Sequence, residues 1–202
     1  MRETVHMLVV LSLICAASGA ILVNIKQATR ERIEQQVLTY VQGPALLSVL
    51  ESRDNDPIAE RARIGGVNVF PAMLGGRLVG VAFEAFAPGY SGDIGVMVGI
   101  DVERDALIGI GITTQTETPG LGTRVMEPAF TAQFKAHGLE SLNVKSRGGD
   151  IDAVSGASFS SVGTVNAVRR AVEIYQDIKP EIEKTWKRSQ DAQGKGSVEG
   201  PA

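Results

Sequence analysis

An uncharged apolar run from Met7 to Val23, extendable to Val5 and Ile25, opens the chain, with Arg2 before it and Lys26, Arg30 and Arg32 after it. Its length suits a helix that spans a bilayer. A cleaved signal peptide is the alternative, because Arg2 precedes the run and small residues gather at Ala16, Ala17, Ser18, Gly19 and Ala20. The run continues through Ile21, Leu22 and Val23, past the place where a signal core ends, which favours a retained single-pass anchor. Ile14 stands before Cys15 where a lipid-modified cysteine has a small residue. The lysine and arginine count alone leans toward a cytoplasmic main domain, by a charge or two.

From Gln27 to Val41 the apolar residues Ile33, Val37, Leu38 and Val41 fall on one helical face and predict a stalk helix. Gly43-Pro44 interrupts it, Ala45 to Leu50 resume it, and the polar run Ser52 to Asp56 before Pro57 ends it. Strand patterns follow at Val67 to Phe70, Leu78 to Phe86, Ile94 to Val102 and Leu107 to Thr113. In the last two, Ile94, Val96, Val98 and Ile100, then Ile108, Ile110 and Ile112, alternate with partners that include Gly95, Gly99, Gly109 and Gly111. One face is therefore branched aliphatic and the other nearly bare, open to a packed helix or a flat ligand, with helix packing the commoner outcome. Glu103-Arg104-Asp105 connects the two strands as an antiparallel hairpin.

Glu127 to His137 reads as a short helix closed by Gly138, with Phe130 and Phe134 one turn apart, and Leu142 to Val144 as a short strand. From Phe159 to Tyr175, Val162, Val165, Val168, Val172 and Tyr175 share a face and predict an amphipathic helix. Pro180 begins a polar helical segment through Trp186, and a Gly-, Ser- and charge-rich tail follows. The expected organisation is an anchor at 1–25, stalk helices at 26–56, a domain at 57–187 and a disordered tail at 188–202. The fold class is α+β: a single N-terminal transmembrane helix, then one mixed, largely antiparallel sheet domain with packed helices.

Composition narrows the chemistry. The 202 residues are 44% hydrophobic and 21% charged, with 20 basic and 23 acidic residues and a formal net charge of −3. That balance lacks the basic excess of a nucleic-acid-binding protein. One cysteine, Cys15, and two histidines, His6 and His137, cannot build a disulfide framework, a four-cysteine iron–sulfur cluster or a Cys/His zinc site. Electron chemistry here would need an organic cofactor or a partner's.

Two segments carry candidate chemistry. Asp152-Ala-Val-Ser-Gly-Ala-Ser158 runs straight into the amphipathic helix, and Ser155, Ser158, Ser160 and Ser161 crowd its start. Serines there commonly cap the free first-turn amides. The same place also favours a phosphate, and Gly156 and Ala157 leave the approach open. A hydrolase nucleophile fits poorly, because Gly156-Ala157-Ser158-Phe159-Ser160 lacks the second glycine of G-x-S-x-G and His137 is the one histidine outside the anchor region. The second segment, Thr116-Glu117-Thr118-Pro119-Gly120-Leu121-Gly122, contains a type II turn with Gly120 at positive φ. Its carboxylate, hydroxyls and backbone amides at a strand end suit the polar edge of a heterocycle.

Three motifs in order, GYSGDIGVMVGID at Gly89 to Asp101, ETPGLG at Glu117 to Gly122 and DAVSGAS at Asp152 to Ser158, resemble the FMN-binding G subunit of Rnf-type electron transport complexes. The C subunit of sodium-pumping NADH:quinone oxidoreductases is similar, though longer. The resemblance implies FMN joined through its phosphate to the last hydroxyl of an S-G-A-T motif, a place that Ser158 fills with serine in place of threonine. It further implies Ser155, Gly156 and Ala157 beside that bond, Asp152 opening the recognition motif of a flavin transferase, and Glu117, Thr118, Leu121 and Gly122 near the ring. The protein would then be an electron relay without a substrate pocket of its own, in a ferredoxin:NAD⁺ oxidoreductase coupled to ion transport. Its partners would be the other subunits, the transferase and membrane lipid, and no nucleic acid. The FMN domain would lie on the outer face of the cytoplasmic membrane, against the weak charge count. From another class, a membrane-tethered module that holds FMN or another phosphorylated ligand without relaying electrons fits the same residues.

Overall fold

Residues 2–51 and 53–195 are described by the structure, a computed structural model; Ser52 of the polar run and residues 196–202 lie outside the described residues. Two compact units divide the chain near residue 40. The first is dominated by α1, Arg2–Gln36, a single 35-residue helix that at 1.5 Å per residue extends about 52 Å, more than the ~30 Å of a bilayer core. Nothing between Val23 and Gln36 breaks a helix, so the anchor and the first part of the predicted stalk are continuous. Leu8, Leu11, Leu13, Ile14, Ile21 and Leu22 are exposed, the condition of a helix that lipid covers. The stalk then changes form: Val37–Gln42 is a π-helical turn, followed by α2, Gly43–Val49. Pro44 is tolerated in the first turn of α2, where a missing N–H costs no hydrogen bond.

The second unit is built on a five-stranded meander: β1 Ala62–Ile64, β2 Val67–Leu74, β3 Arg77–Pro88, β4 Asp93–Asp101 and β5 Ala106–Thr114, each paired antiparallel to the next. The sheet is thus wholly antiparallel rather than mixed; the one parallel pairing among the described residues is the isolated bridge Val144 to Ile151, all that forms of the predicted strand at Leu142 to Val144. β2 passes through Pro71, where β1 no longer pairs with it, so the proline's missing donor faces no strand. Gly75 and Gly76, both at positive φ, make the β2–β3 hairpin turn.

The two faces of the sheet are covered differently. Helix α4, Ser158–Lys195, lays Val165, Val168, Ala171, Val172, Tyr175 and Ile178 against the face that carries Val81, Phe83, Ala85, Ile94, Val96 and Val98. The bare face is taken by α2: a Cβ on Gly99 would collide with a methyl of Val49, and one on Gly111 would lie 2.9 Å from the Cβ of Ala45. Glycine alternation here is what lets a helix approach the sheet closely. On the same face Glu84 accepts hydrogen bonds from the Gln42 amide and the Thr113 hydroxyl. Ile108 departs from the alternation. A register shift at Gly99/Ile100 moves it off the aliphatic face and over Gly80 and Gly99.

The predicted helix at Glu127 to His137 forms in two short pieces, α3 Pro128–Thr131 and a 3₁₀ turn Ala132–Phe134, with the buried Phe130 and Phe134 rings edge-on at 5.5 Å. Helix α4 does not restart at Pro180 but runs through it to Lys195, into the stretch from 188 expected to be a disordered tail. An interior proline costs about 3 kcal/mol. Beyond it Ile182 and Trp186 are buried, each stabilising by about 1.5–3 kcal/mol, so burial offsets the break.

Candidate functional site

Where β3 ends, β4 begins and β5 ends, two loops meet the first turn of α4. The loop after β3 turns tightly, with the Gly89 amide donating to the Gly92 carbonyl at 2.8 Å. The loop after β5 carries the ETPGLG segment, whose predicted turn is present: Leu121 N–H donates to the Thr118 carbonyl at 3.2 Å, and Gly120 has φ +74°. Gly156, at φ +80°, bends the chain into α4, and Leu121 lies across it where a Cβ would come within 2.9 Å of the leucine.

The four serines separate into two pairs. Ser158, the first residue of α4, is exposed, and its hydroxyl has no hydrogen-bond partner among the described residues. Ser155 is also exposed, with its carbonyl accepting from Arg124 at 3.4 Å. Ser160 and Ser161 are buried, at 2% and 0% exposure. Ser161 Oγ donates to the Ala157 carbonyl and accepts the Val154 amide, both at 2.9 Å, tying the incoming segment to the helix. Neither exposed serine caps the helix. The amides of Ser158, Phe159 and Ser160 therefore donate to no acceptor among the described residues, and the positive end of α4 is open to an anion beside the Ser158 hydroxyl. The rings of Tyr90 and Phe159 stand next to it, 70% and 68% exposed with centroids 6.1 Å apart, and Leu121, across Gly156, is exposed as well.

Glu117 is 4% exposed, and its carboxylate turns inward onto donors of its own chain. One oxygen accepts the amides of Tyr90 and Ser91 at 2.9 and 3.0 Å, and the other accepts the Ser160 hydroxyl at 2.5 Å. Burial pushes its pKa up, but the hydrogen bonds from Ser160, Ser91 and Tyr90 outweigh it and hold the carboxyl below its ordinary value. Gly122 sits against it: a Cβ there would lie 2.8 Å from Oε2 and 2.9 Å from Ser160 Oγ. Thr118 remains exposed.

Upstream of the site, Asp152 is exposed, its carboxylate on Lys145 at 2.7 Å and its backbone bracketed by the Gln133 amide. His137 braces the same segment. Its ring nitrogens face only acceptors, the Gly138 carbonyl at 2.6 Å and the Asp150 carboxylate at 2.8 Å, an arrangement that a doubly protonated ring satisfies. Burial lowers its pKa, yet the bonds to Gly138 and Asp150 raise it above the ordinary 6.5. A raised folded-state pKa contributes stability that is complete below about pH 6.5 and lost as pH rises through the folded value. The thermal midpoint of the full chain in detergent is accordingly expected to fall as pH rises above that point, and His137→Asn to flatten the fall. Identical slopes in the two proteins would show that His137 is not the group responsible.

A cavity of about 520 Å³ between α2 and the far end of β4–β5, lined by Val49, Leu74, Ile108 and Lys135, holds none of these residues. Among the described residues no group of three or more His, Cys, Asp or Glu is placed to hold a metal. Sequence reasoning does not find Tyr90, Phe159 or the buried role of Ser160 as features of the site. For Tyr90 a signal is visible, because an aromatic ring in a Gly–Ser–Gly turn has no core to enter.

Residues 89–173 match the family model described as an FMN-binding domain. The chain is 31% identical over 197 residues to the G subunit of an ion-translocating oxidoreductase complex of Aliivibrio fischeri, covering 86% of this chain and 90% of that protein. It is 32% identical over 179 residues to the protein of the same description from Stutzerimonas stutzeri, covering 81% and 77%. Among solved structures, the C subunit of a Na⁺-translocating NADH-quinone reductase from Parabacteroides distasonis is similar at 21% identity and a TM-score of 0.48, over 63% of this chain and 71% of that one.

Proposed function

Because the chain belongs to the G-subunit family of ion-translocating oxidoreductase complexes and contains an FMN-binding domain, we propose that it is the electron-relay subunit of an Rnf-type ferredoxin:NAD⁺ oxidoreductase, with FMN esterified through its phosphate to Ser158. The observation that carries this reading is the exposed, unpartnered Ser158 hydroxyl at the open end of α4, beside buried serines already committed to internal bonds. Bound FMN supplies the redox chemistry, which the chain's own side chains lack. Ser158 Oγ would attack the phosphorus of an FMN group held in phosphoanhydride linkage on a donor flavin dinucleotide, the new P–O ester forming as the anhydride P–O bond breaks and the nucleoside monophosphate leaves with the serine proton, so the chain gains FMN less one water. The free amides of Ser158, Phe159 and Ser160 would hold the remaining phosphate charge, a placement worth about 0.3–1 kcal/mol at a surface. Ser155, Gly156 and Ala157 keep the approach narrow in side chains. Tyr90, Phe159, Leu121 and Thr118 supply apolar surface and polar groups for the ring, and Glu117 with the buried Gly122 supports them from beneath.

A flavin transferase recognising the segment from Asp152 completes maturation. The chain is anchored by α1 in the cytoplasmic membrane, with residues 57–187 on the outer side, in contact with other subunits of the complex and with lipid. After an alkaline wash of membranes from cells that also express the transferase, flavin absorbance is expected to stay in the pellet with this chain and to bleach and return on reduction and reoxidation. Protease added to spheroplasts should digest the domain. A coloured protein that loses its flavin on unfolding would favour the tethered binding module instead, and digestion only in inverted vesicles would reverse the orientation.

A further inference from the structure

We propose that Glu117 is the positioning residue of the attachment site: its carboxylate staples the turn that carries Tyr90 to the helical turn that carries Ser158 and Phe159, and so fixes the Ser158 hydroxyl for reaction. The inference rests on the reading of Ser158 as the attachment residue. Its own support is independent of that reading. Three segments far apart in sequence meet on one buried carboxylate: Tyr90 and Ser91 after β3, Glu117 after β5, and Ser160 in α4. All three partners donate, which an ionised carboxylate satisfies and a protonated one does not. Glycines on both sides admit it, since a Cβ on Gly89 would lie 2.5 Å from one oxygen and a Cβ on Gly122 2.8 Å from the other. The backbone of Glu117 is itself held, its amide donating to Gln115 Oε1 at 2.6 Å. Ser160 lies two residues after Ser158 in the same turn, so its bond sets where that turn stands relative to the Tyr90–Phe159 ring pair. A misplacement near 1 Å at a reacting group costs on the order of a hundredfold in rate.

The test follows the appearance of denaturation-resistant flavin fluorescence on the full-length membrane protein, co-expressed with an Rnf-type flavin transferase. Glu117→Ala and Ser160→Ala are compared with Val172→Ala, a cavity in the same helix remote from the site, and the thermal midpoint of each is measured alongside. Labelling of Glu117→Ala and Ser160→Ala is expected to be slowed on the order of tenfold to a hundredfold, well beyond Val172→Ala at a comparable loss of midpoint. Glu117→Gln keeps an acceptor for the turn amides and can donate to the Ser160 oxygen, so it should restore labelling toward the wild-type rate. Should Glu117→Ala not fold, Ser160→Ala, which removes one hydroxyl, decides alone. Labelling that merely tracks the thermal midpoint across all variants would overturn the positioning role. A wild-type chain without denaturation-resistant flavin would instead overturn the attachment reading beneath it.

Discussion

Ser158→Ala is expected to abolish denaturation-resistant flavin completely, while Ser158→Thr retains it. The loss is total because no neighbouring hydroxyl can substitute. Ser160 is committed to Glu117 and Ser161 to Val154 and Ala157, and both are buried. Ser155 is exposed, but it lies before the left-handed turn at Gly156 rather than on the open end of α4. Threonine keeps the oxygen at the same place, and Ser158 is exposed enough to take the extra methyl. Ser161→Ala should leave the flavin attached and act on stability instead, by about 1–3 kcal/mol, since the Val154 amide loses its acceptor. Flavin on a gel after denaturation, read for each variant, separates these outcomes. Flavin surviving in Ser158→Ala would move the attachment elsewhere.

The second large effect is expected from a residue with no chemistry. Gly163 lies one turn inside α4, where a Cβ would fall 2.6 Å from the Pro88 carbonyl oxygen and 2.9 Å from Gly89 Cα. These are backbone atoms at the end of β3, so they cannot swing aside as a side-chain tip would. Overpacking of this kind costs about 1–3 kcal/mol. Alanine recovers up to about 1 kcal/mol of helix propensity, less than the clash demands. Gly163→Ala should therefore lower the thermal midpoint, by about 2–4 °C for each net kcal/mol in a domain of this size. It should also slow flavin attachment, because the displaced segment is the one whose turn Glu117 holds. Gly138→Ala, where nothing lies within 4 Å of a new Cβ, serves as the matched control and should be close to neutral. Equal midpoints for the two alanine variants would contradict the close packing of α4 on β3.

How far the sequence can be read depends on whether a feature is local or tertiary. The bare strand face is legible because side-chain alternation has a period of two, and glycines at Gly99 and Gly111 leave an obvious gap; that α2 fills it depends on a contact no pattern encodes. Ile108 is misplaced by pattern alone because one bulge inverts alternation beyond it. Pro180 reads as a boundary by a local rule that burial of Ile182 and Trp186 overrides. The serines are the most instructive case. Extending the stripe of Val165, Val168 and Val172 back by one turn lands on Ser161, so its burial is available from helix phase. The inward turn of Glu117 is not, because its three partners lie 26, 27 and 43 residues away. A carboxylate in a glycine-rich loop carries no mark, in sequence, of the donors its own chain brings to it.

Everything proposed for this site depends on a covalent bond at one atom, and the intact mass of the denatured full-length chain tests for that bond. Purified from cells that also make the flavin transferase, wild-type protein should weigh more than its sequence by one FMN less one water, with the added mass on the peptide that contains Ser158. An unmodified mass, or the same gain on a peptide without Ser158, would contradict attachment at this residue.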